Sequence, residues 1–258
     1  MKKLVRADRL KHIQELLFTR GEVSLQELQS RFPEKSLMTI RRDLDYLETQ
    51  GVLIRTHGGA VSVREIASRN NDDFRIREIK DIASKNAIAV KAATLVEPGM
   101  TLYLDAGSTS MCLARHLPDA AYTIITHAPN LALSLMEYNH PTVIMVGGVM
   151  MRSTLSAAGN STLSQLDQAY IDLAFLGASG FLPQAGFTNS NPFECEVKRK
   201  IIERSRRTVM LLDSTKIGRQ AAFAFAKTGE IGLFITDRAL PVDVKAEFIA
   251  QKVEVWDI

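Results

Sequence analysis

Asp105-Ala106-Gly107-Ser108-Thr109-Ser110 packs a carboxylate, a backbone position without a side chain and three hydroxyls into six consecutive residues. A strand-like run from Thr101 to Asp105 precedes it and a helical one follows. Gly107 therefore admits close backbone approach, and the hydroxyls with the helix N-terminal amides suit an anion such as phosphate. Taken alone, capping without any ligand is the better reading of the same residues. The pattern gains weight by recurring. Thr126-His127-Ala128-Pro129-Asn130 follows the next apolar strand and Gly147-Gly148 the one after. Gly177-Ala178-Ser179-Gly180, Gly186-Phe187-Thr188 and Asp213-Ser214-Thr215-Lys216-Ile217-Gly218 close later runs, and Glu194, Glu196 and Lys198 open a charged helix. Lys216 can neutralise a phosphate as a point charge, while Asp105 and Glu194 or Glu196 can accept protons from sugar hydroxyls. The candidate ligand set is thus Asp105, Gly107, Ser108, Thr109, Thr126, His127, Asn130, Gly147, Gly148, Gly177, Gly180, Thr188, Glu194, Lys198 and Lys216. Plainer readings stand beside each: glycine turns, a helix capped by Asn191, a solvated Glu-Lys face. Neither Gly-x-x-x-x-Gly-Lys-Ser/Thr nor Gly-x-Gly-x-x-Gly occurs, so no nucleotide fingerprint is present, and no cofactor or metal is expected.

A different chemistry lies in residues 36–50. Ser36 can cap a helix that Gly51 ends. Ile40, Leu44 and Leu47 stand at i, i+4 and i+7 and form one inward stripe. Arg42 then points away from the stripe, flanked by Thr39, Asp45 and Tyr46, with Arg41 at the shoulder. A short helix with a cationic free face suits a DNA major groove; a solvated amphipathic helix gives the same pattern, and the flanks must decide. Residues 6–19 carry Leu10, Ile13 and Leu17 at helical spacing. Ser24 and Glu27 make a capping box before a second helix that Pro33 stops. After Gly51, residues 52–56 and 60–63 flank His57-Gly58-Gly59 as a hairpin. Three helices and a two-stranded wing make a winged helix-turn-helix. Base reading falls to Thr39, Arg41 and Arg42 beside the capping Ser36, and backbone contacts to Arg55, His57 and Lys35. His57 is equally a plain turn residue.

The 258 residues exceed one small domain, and the 46 % apolar content suffices for a sizeable core. The net charge of +3 is concentrated: residues 1–62 hold eleven Lys/Arg against eight Asp/Glu, leaving 21 of each elsewhere. A local basic surplus fits phosphate-backbone attraction. Cys112 and Cys195 are far apart, which fits a reducing compartment and buried spectator thiols. No apolar run approaches the ~20 residues of a membrane span, so the cytoplasm is expected. Beyond a polar stretch at 64–78, read as a linker, apolar strands alternate with helices: strands near 101–105, 122–126, 142–146, 172–177, 208–213, 233–236 and 253–256, and helices near 79–96, 108–117, 129–137 and 192–206. That alternation indicates an α/β domain around a mostly parallel sheet, whose strand ends are where ligands bind. The expected domains are therefore 1–63, a linker at 64–78, and 79–258.

Val23-Ser24-Leu25-Gln26-Glu27-Leu28, Met38-Thr39-Ile40-Arg41-Arg42-Asp43-Leu44 and Arg55-Thr56-His57-Gly58-Gly59-Ala60-Val61 closely resemble the DNA-binding head of DeoR-type bacterial repressors. Leu104-Asp105-Ala106-Gly107-Ser108-Thr109-Ser110, Met145-Val146-Gly147-Gly148 and Asp213-Ser214-Thr215-Lys216-Ile217-Gly218 resemble their effector domain. The resemblance implies a fold shared with ribose-5-phosphate isomerase and the CoA transferases, a phosphorylated sugar as effector, double-stranded operator DNA as partner and no catalysis. It departs at two places. The turn at 32–36 is one residue longer than the family's and puts Lys35 where an apolar residue usually plugs it; and His127 replaces the family's Asn after Thr126, with Asn130 retained. One small head gives limited affinity, so a homo-oligomer is expected. The alternative is a sugar-phosphate isomerase with a DNA-binding head, its base drawn from Asp105, Glu194 or Glu196.

Overall fold

The computed structural model describes residues 6–62 and 74–258, and the chain divides into two compact units, Met1–Ile82 and Ala83–Ile258. The first runs α1 (Arg6–Arg20), β1 (Glu22–Ser24), α2 (Leu25–Arg31), α3 (Leu37–Thr49), β2 (Leu53–Thr56) and β3 (Gly59–Ser62). Ser24 caps α2 by accepting from the Glu27 amide, and Ser36 caps α3 by accepting from the Thr39 amide. Ile13, Leu17, Leu28, Ile40, Leu44, Leu47 and Leu53 meet in one buried core. β1 is an addition to the hairpin: it pairs antiparallel with β3, giving the order β1-β3-β2. A Cβ on Gly59 would lie 2.1 Å from the Val23 carbonyl oxygen, so that strand pairing requires glycine there.

Val63 and residues 64–73 of the expected linker lie outside the described residues. Its remainder is helical, forming α4 (Phe74–Ile79). The single helix expected over 79–96 is also corrected. Asp81 takes a φ of 52°, a left-handed conformation that breaks the run, and α5 spans Ile82–Ala93.

The second unit continues with β4 (Thr101–Leu104), α6 (Ser108–Ala114), β5 (Thr123–Thr126), α7 (Pro129–Leu135), β6 (Thr142–Met145), β7 (Val149–Met151), β8 (Ser156–Ala158) and α8 (Asn160–Leu166). Then come β9 (Ile171–Leu176), β10 (Gly180–Leu182), β11 (Gly186–Asn189), α9 (Pro192–Arg204), β12 (Ser205–Leu211), β13 (Phe223–Ala226), β14 (Leu233–Thr236), α10 (Val242–Ala250) and β15 (Glu254–Asp257). Seven strands form a parallel sheet in the order β15-β14-β12-β9-β4-β5-β6. The chain builds outward from β4 through β5 and β6, then restarts at β9 and builds the other way. The reversal point lies between β4 and β9, where open α/β sheets bind ligands. Being parallel, all seven strands end on one edge.

The central strands are almost wholly buried, as sheets covered on both faces must be. Two small antiparallel sheets, β7-β8 and β10-β11-β13, were not expected; runs of three or four residues are too short to show a period. Phe181 and Phe187 on the second of them pack against Phe234 and Phe248, with ring centroids 4.6 Å apart for Phe181–Phe187 and 4.7 Å for Phe234–Phe248. That aromatic cluster fixes β10 and β11 to the main sheet.

Candidate functional site

In the first unit, α3 turns Ile40, Leu44 and Leu47 into the core and leaves Arg41 and Arg42 exposed. Leu37 and Met38 at its first turn are exposed too, apolar side chains beside the two arginines that the cation pattern alone does not single out. Thr39 shares its hydroxyl with Ser36 at 3.0 Å, so the cap and this polar position are one unit. The longer turn is closed by the backbone: the Lys35 amide donates to the Phe32 carbonyl, and the Lys35 carbonyl accepts from Gln29 Nε2 at 2.8 Å. Lys35 is thus held as a half-buried turn residue. At the hairpin, His57 and Gly58 are exposed at the tip. Arg55 is tied back to α3, its guanidinium paired with Asp45 and its amide donating to Glu48 Oε1 at 2.8 Å.

One feature of α3 was not legible as chemistry. Asp43 sits on the inward stripe and is buried, accepting from Arg9 Nε at 2.5 Å, with Arg6 Nε 3.5 Å from its other oxygen. A buried carboxylate between two α1 guanidinium groups fixes the angle between the helices. Its position three residues after Ile40 was the available signal.

In the second unit, the reversal point of the sheet carries the polar cluster. Asp105 directly follows β4 and is buried; its Oδ2 accepts from the Gly177 amide at 2.9 Å and from Lys198 Nζ. Lys198 is equally buried, with the Phe225 ring 5.6 Å away. One turn earlier on α9, Glu194 accepts from Asn189 Nδ2 at 2.7 Å and Ser156 Oγ at 3.3 Å. Pro192 at the first turn and the Asn191 cap start α9 where Glu194 and Lys198, four residues apart, both face inward. Glu196 is on the exposed side, so of the two glutamates only Glu194 joins the buried cluster.

His127 follows β5 and is buried with its ring stacked on Tyr103 at 5.8 Å; its Nδ1 lies 2.5 Å from the Tyr103 hydroxyl. Burial pushes the imidazole down to about 4, assisted by the Lys198 ammonium and opposed by Asp105. The Tyr103 phenol is held well above its ordinary range by burial first, then by the negative charges of Asp105 and Glu194. The imidazole is therefore neutral and the phenol protonated at neutral pH. The His127 carbonyl accepts from the Ala157 amide at 2.7 Å, joining this loop to the strand that carries Ser156.

The other sequence candidates divide into two groups. Gly107 begins α6, with Ser108 buried and Thr109 half-buried behind it, next in chain to Asp105. Asn130, on the first turn of α7, keeps its Oδ1 buried, and that oxygen and Asp105 Oδ1 accept no hydrogen bond. By contrast, Thr126 donates to the Leu104 carbonyl and accepts from the Ala128 amide, and Thr188 donates to the Gly180 carbonyl and accepts from the Ala221 amide. Those hydroxyls are used by the fold. Gly147 is held by Thr162 and Gln165 of α8, and a Cβ on Gly148 would meet Thr162 Oγ1 at 2.1 Å. Gly180 has the same role against the Arg219 carbonyl, 2.5 Å from where a Cβ would be. Lys216 lies after β12, two strand positions from β4, on a turn that Asp213 and Asp237 hold by accepting from the Thr215 and Ser214 amides.

A helical unit whose α3 exposes two arginines and an α/β unit with a buried polar cluster at its strand ends have the architecture of a DNA-binding regulator with a sensor domain. Family models agree: residues 9–65 match the DeoR-like helix-turn-helix domain and residues 80–238 the DeoR C terminal sensor domain. The chain belongs to the DeoR family of transcriptional regulators. It is 35 % identical to an uncharacterised HTH-type transcriptional regulator, YulB, of Bacillus subtilis, over 93 % of this chain and 92 % of that protein. It is 33 % identical to the HTH-type transcriptional regulator GlpR of Haloferax volcanii, over 97 % of each. Among solved structures, ribose 5-phosphate isomerase A of Methanocaldococcus jannaschii overlays with a TM-score of 0.38 at 20 % identity, over 52 % of this chain and 53 % of that one. Among the described residues, no helix is long and apolar enough to cross a membrane.

Proposed function

We propose that this protein is a repressor that holds double-stranded operator DNA through α3 and its hairpin, and lets go when a phosphorylated sugar occupies the strand-end cluster. The observation that carries the sugar reading is the pair of buried acceptors, Asp105 Oδ1 and Asn130 Oδ1, that accept no hydrogen bond. A buried acceptor without a donor is costly, and a polyhydroxylated ligand brings donors. Asp105, Asn130 and the Glu194 network read the hydroxyls; Gly107, Ser108, Thr109 and Lys216 supply donors for the phosphate. Lys198 and the Gly177 amide hold Asp105 Oδ2 in place, leaving Oδ1 as the acceptor that faces a ligand. On the DNA side, Arg41 and Arg42 offer bidentate contacts to guanine, Leu37 and Met38 offer apolar contact to thymine methyls, and Lys35, Arg55 and His57 reach the backbone. Two heads on repeated half-sites give a homo-oligomer its purchase.

The test is to select duplexes from a random library with the full-length protein and titrate the selected duplex complex with pentose and hexose phosphates. One of these is expected to release the DNA without being consumed. Arg42→Ala is expected to weaken binding by about 1–3 kcal/mol for the one guanine contact, leaving the fold intact. No enrichment of any sequence, full binding by Arg42→Ala, or turnover of the sugar would each overturn the reading.

A further inference from the structure

The two margins of the seven-stranded sheet are built in opposite ways. β15 carries Glu254 and Asp257, paired with Arg207 at 2.8 Å and Lys245 at 3.0 Å. Charge on an edge strand deters another strand from adding to it. β6 is Thr142-Val143-Ile144-Met145, uncharged, without proline, and regular in its register with β5. One side of its backbone bonds to β5 and the other is the margin of the sheet. The side chains around that margin are apolar. Ile144, Met145 and Met150 are exposed, Val149 is 69 % exposed, and on or just after α7, which packs against β6, Leu133 is 73 % exposed and Met136 69 %. Across residues 129–151 the only Asp, Glu, Lys or Arg is Glu137. Exposed apolar side chains gathered on one uncharged margin, on both faces of β6 and on the helix packed against it, mark an interaction surface.

We infer that β6 and its apolar flank form the contact with a second copy of this chain, the two β6 strands running antiparallel across a two-fold axis. The charge pattern selects that occupant. A partner of another kind is steered and chosen by complementary charge, and this patch offers almost none; meeting itself, it has no like charges to bring together. Two-fold pairing also satisfies the outward amides and carbonyls of both strands at once, each copy supplying what the other lacks. The same strand is continuous with the ligand loop: the Val146 amide donates to the Thr126 carbonyl at 2.8 Å, next to His127. The inference extends the repressor reading, which calls for paired heads, by naming the surface that pairs them.

The test is the mass of the full-length chain by light scattering at micromolar concentration, with circular dichroism and melting temperature followed in parallel. The wild type is expected at an even multiple of the chain mass. Ile144→Lys in the strand and Leu133→Glu on the helix surface should each halve it with the melting profile of a folded protein, and Glu254→Lys on the opposite margin should leave it unchanged. Should Ile144→Lys fail to fold, Leu133→Glu reads the same surface from outside the strand. A wild type of single-chain mass, two folded variants of wild-type mass, or halving by Glu254→Lys would overturn the inference. Neither DNA nor sugar enters the measurement, so failure of the repressor reading would leave its outcome where it is.

Discussion

At the scale of single residues, the polar cluster is a set of charges fixed by one another. His127 shows the cost. Its pKa of about 4 lies below the ordinary 6.5, so between those values the unfolded chain binds a proton that the folded chain refuses. Stability contributed by the neutral ring is complete above about pH 6.5 and drains away as pH falls toward the folded value. From about pH 7 to about pH 5, wild type should lose about 2 kcal/mol more than His127→Asn, whose side chain does not titrate. Urea denaturation at stepped pH measures this, and parallel curves for the two proteins would show that His127 is not buried neutral. Tyr103 makes the same arrangement useful: it stacks on the ring and its hydroxyl meets Nδ1, which fixes how the imidazole is turned beside Asp105 and Lys198.

At the scale of elements, α3 depends on a buried ion pair as much as on its apolar stripe. Removing one partner of such a pair leaves the other charge uncompensated, so Asp43→Asn should destabilise the head by about 3–5 kcal/mol. Arg9→Met together with Asp43→Leu should recover most of that loss. Chemical denaturation of the three proteins reads both steps, and equal stability of wild type and Asp43→Asn would remove the pair from the account. Much of this element was legible in the sequence. Helical spacing, a capping serine and a closing glycine define α3, and His57-Gly58-Gly59 defines the hairpin, because those signals are local. The strands of the main sheet declare themselves because they alternate with helices at regular intervals, and the longest, β9 and β12, carry apolar runs. What stayed hidden is non-local or brief. Asp105 and Lys198 are 93 positions apart, and no spacing rule links them. β1 and the strands of the two small sheets are too short to show a period. The glycines at 148 and 180 read as ligand contacts from sequence, yet the structure uses them for close packing of backbone, a role that composition cannot separate from the other.

At the scale of the whole molecule, the proposed release of DNA by a sugar would be a coupling between two units of one chain. If the sugar weakens operator binding by roughly 5- to 150-fold, the operator must weaken sugar binding by the same factor. Calorimetric titration of the releasing sugar into the free protein and into its operator complex should give affinities that differ by that same factor. Equal affinity of the sugar for the free protein and for the operator complex would show that the two sites are not coupled. The charged rim of β15 has a further consequence for how the assembly ends. An edge that accepted strands on both sides would string copies into a filament without limit. With the far margin walled off by Glu254 and Asp257 and their cationic partners, the join proposed at β6 would use up the open margin of the main sheet, and growth along that sheet would stop at a closed pair.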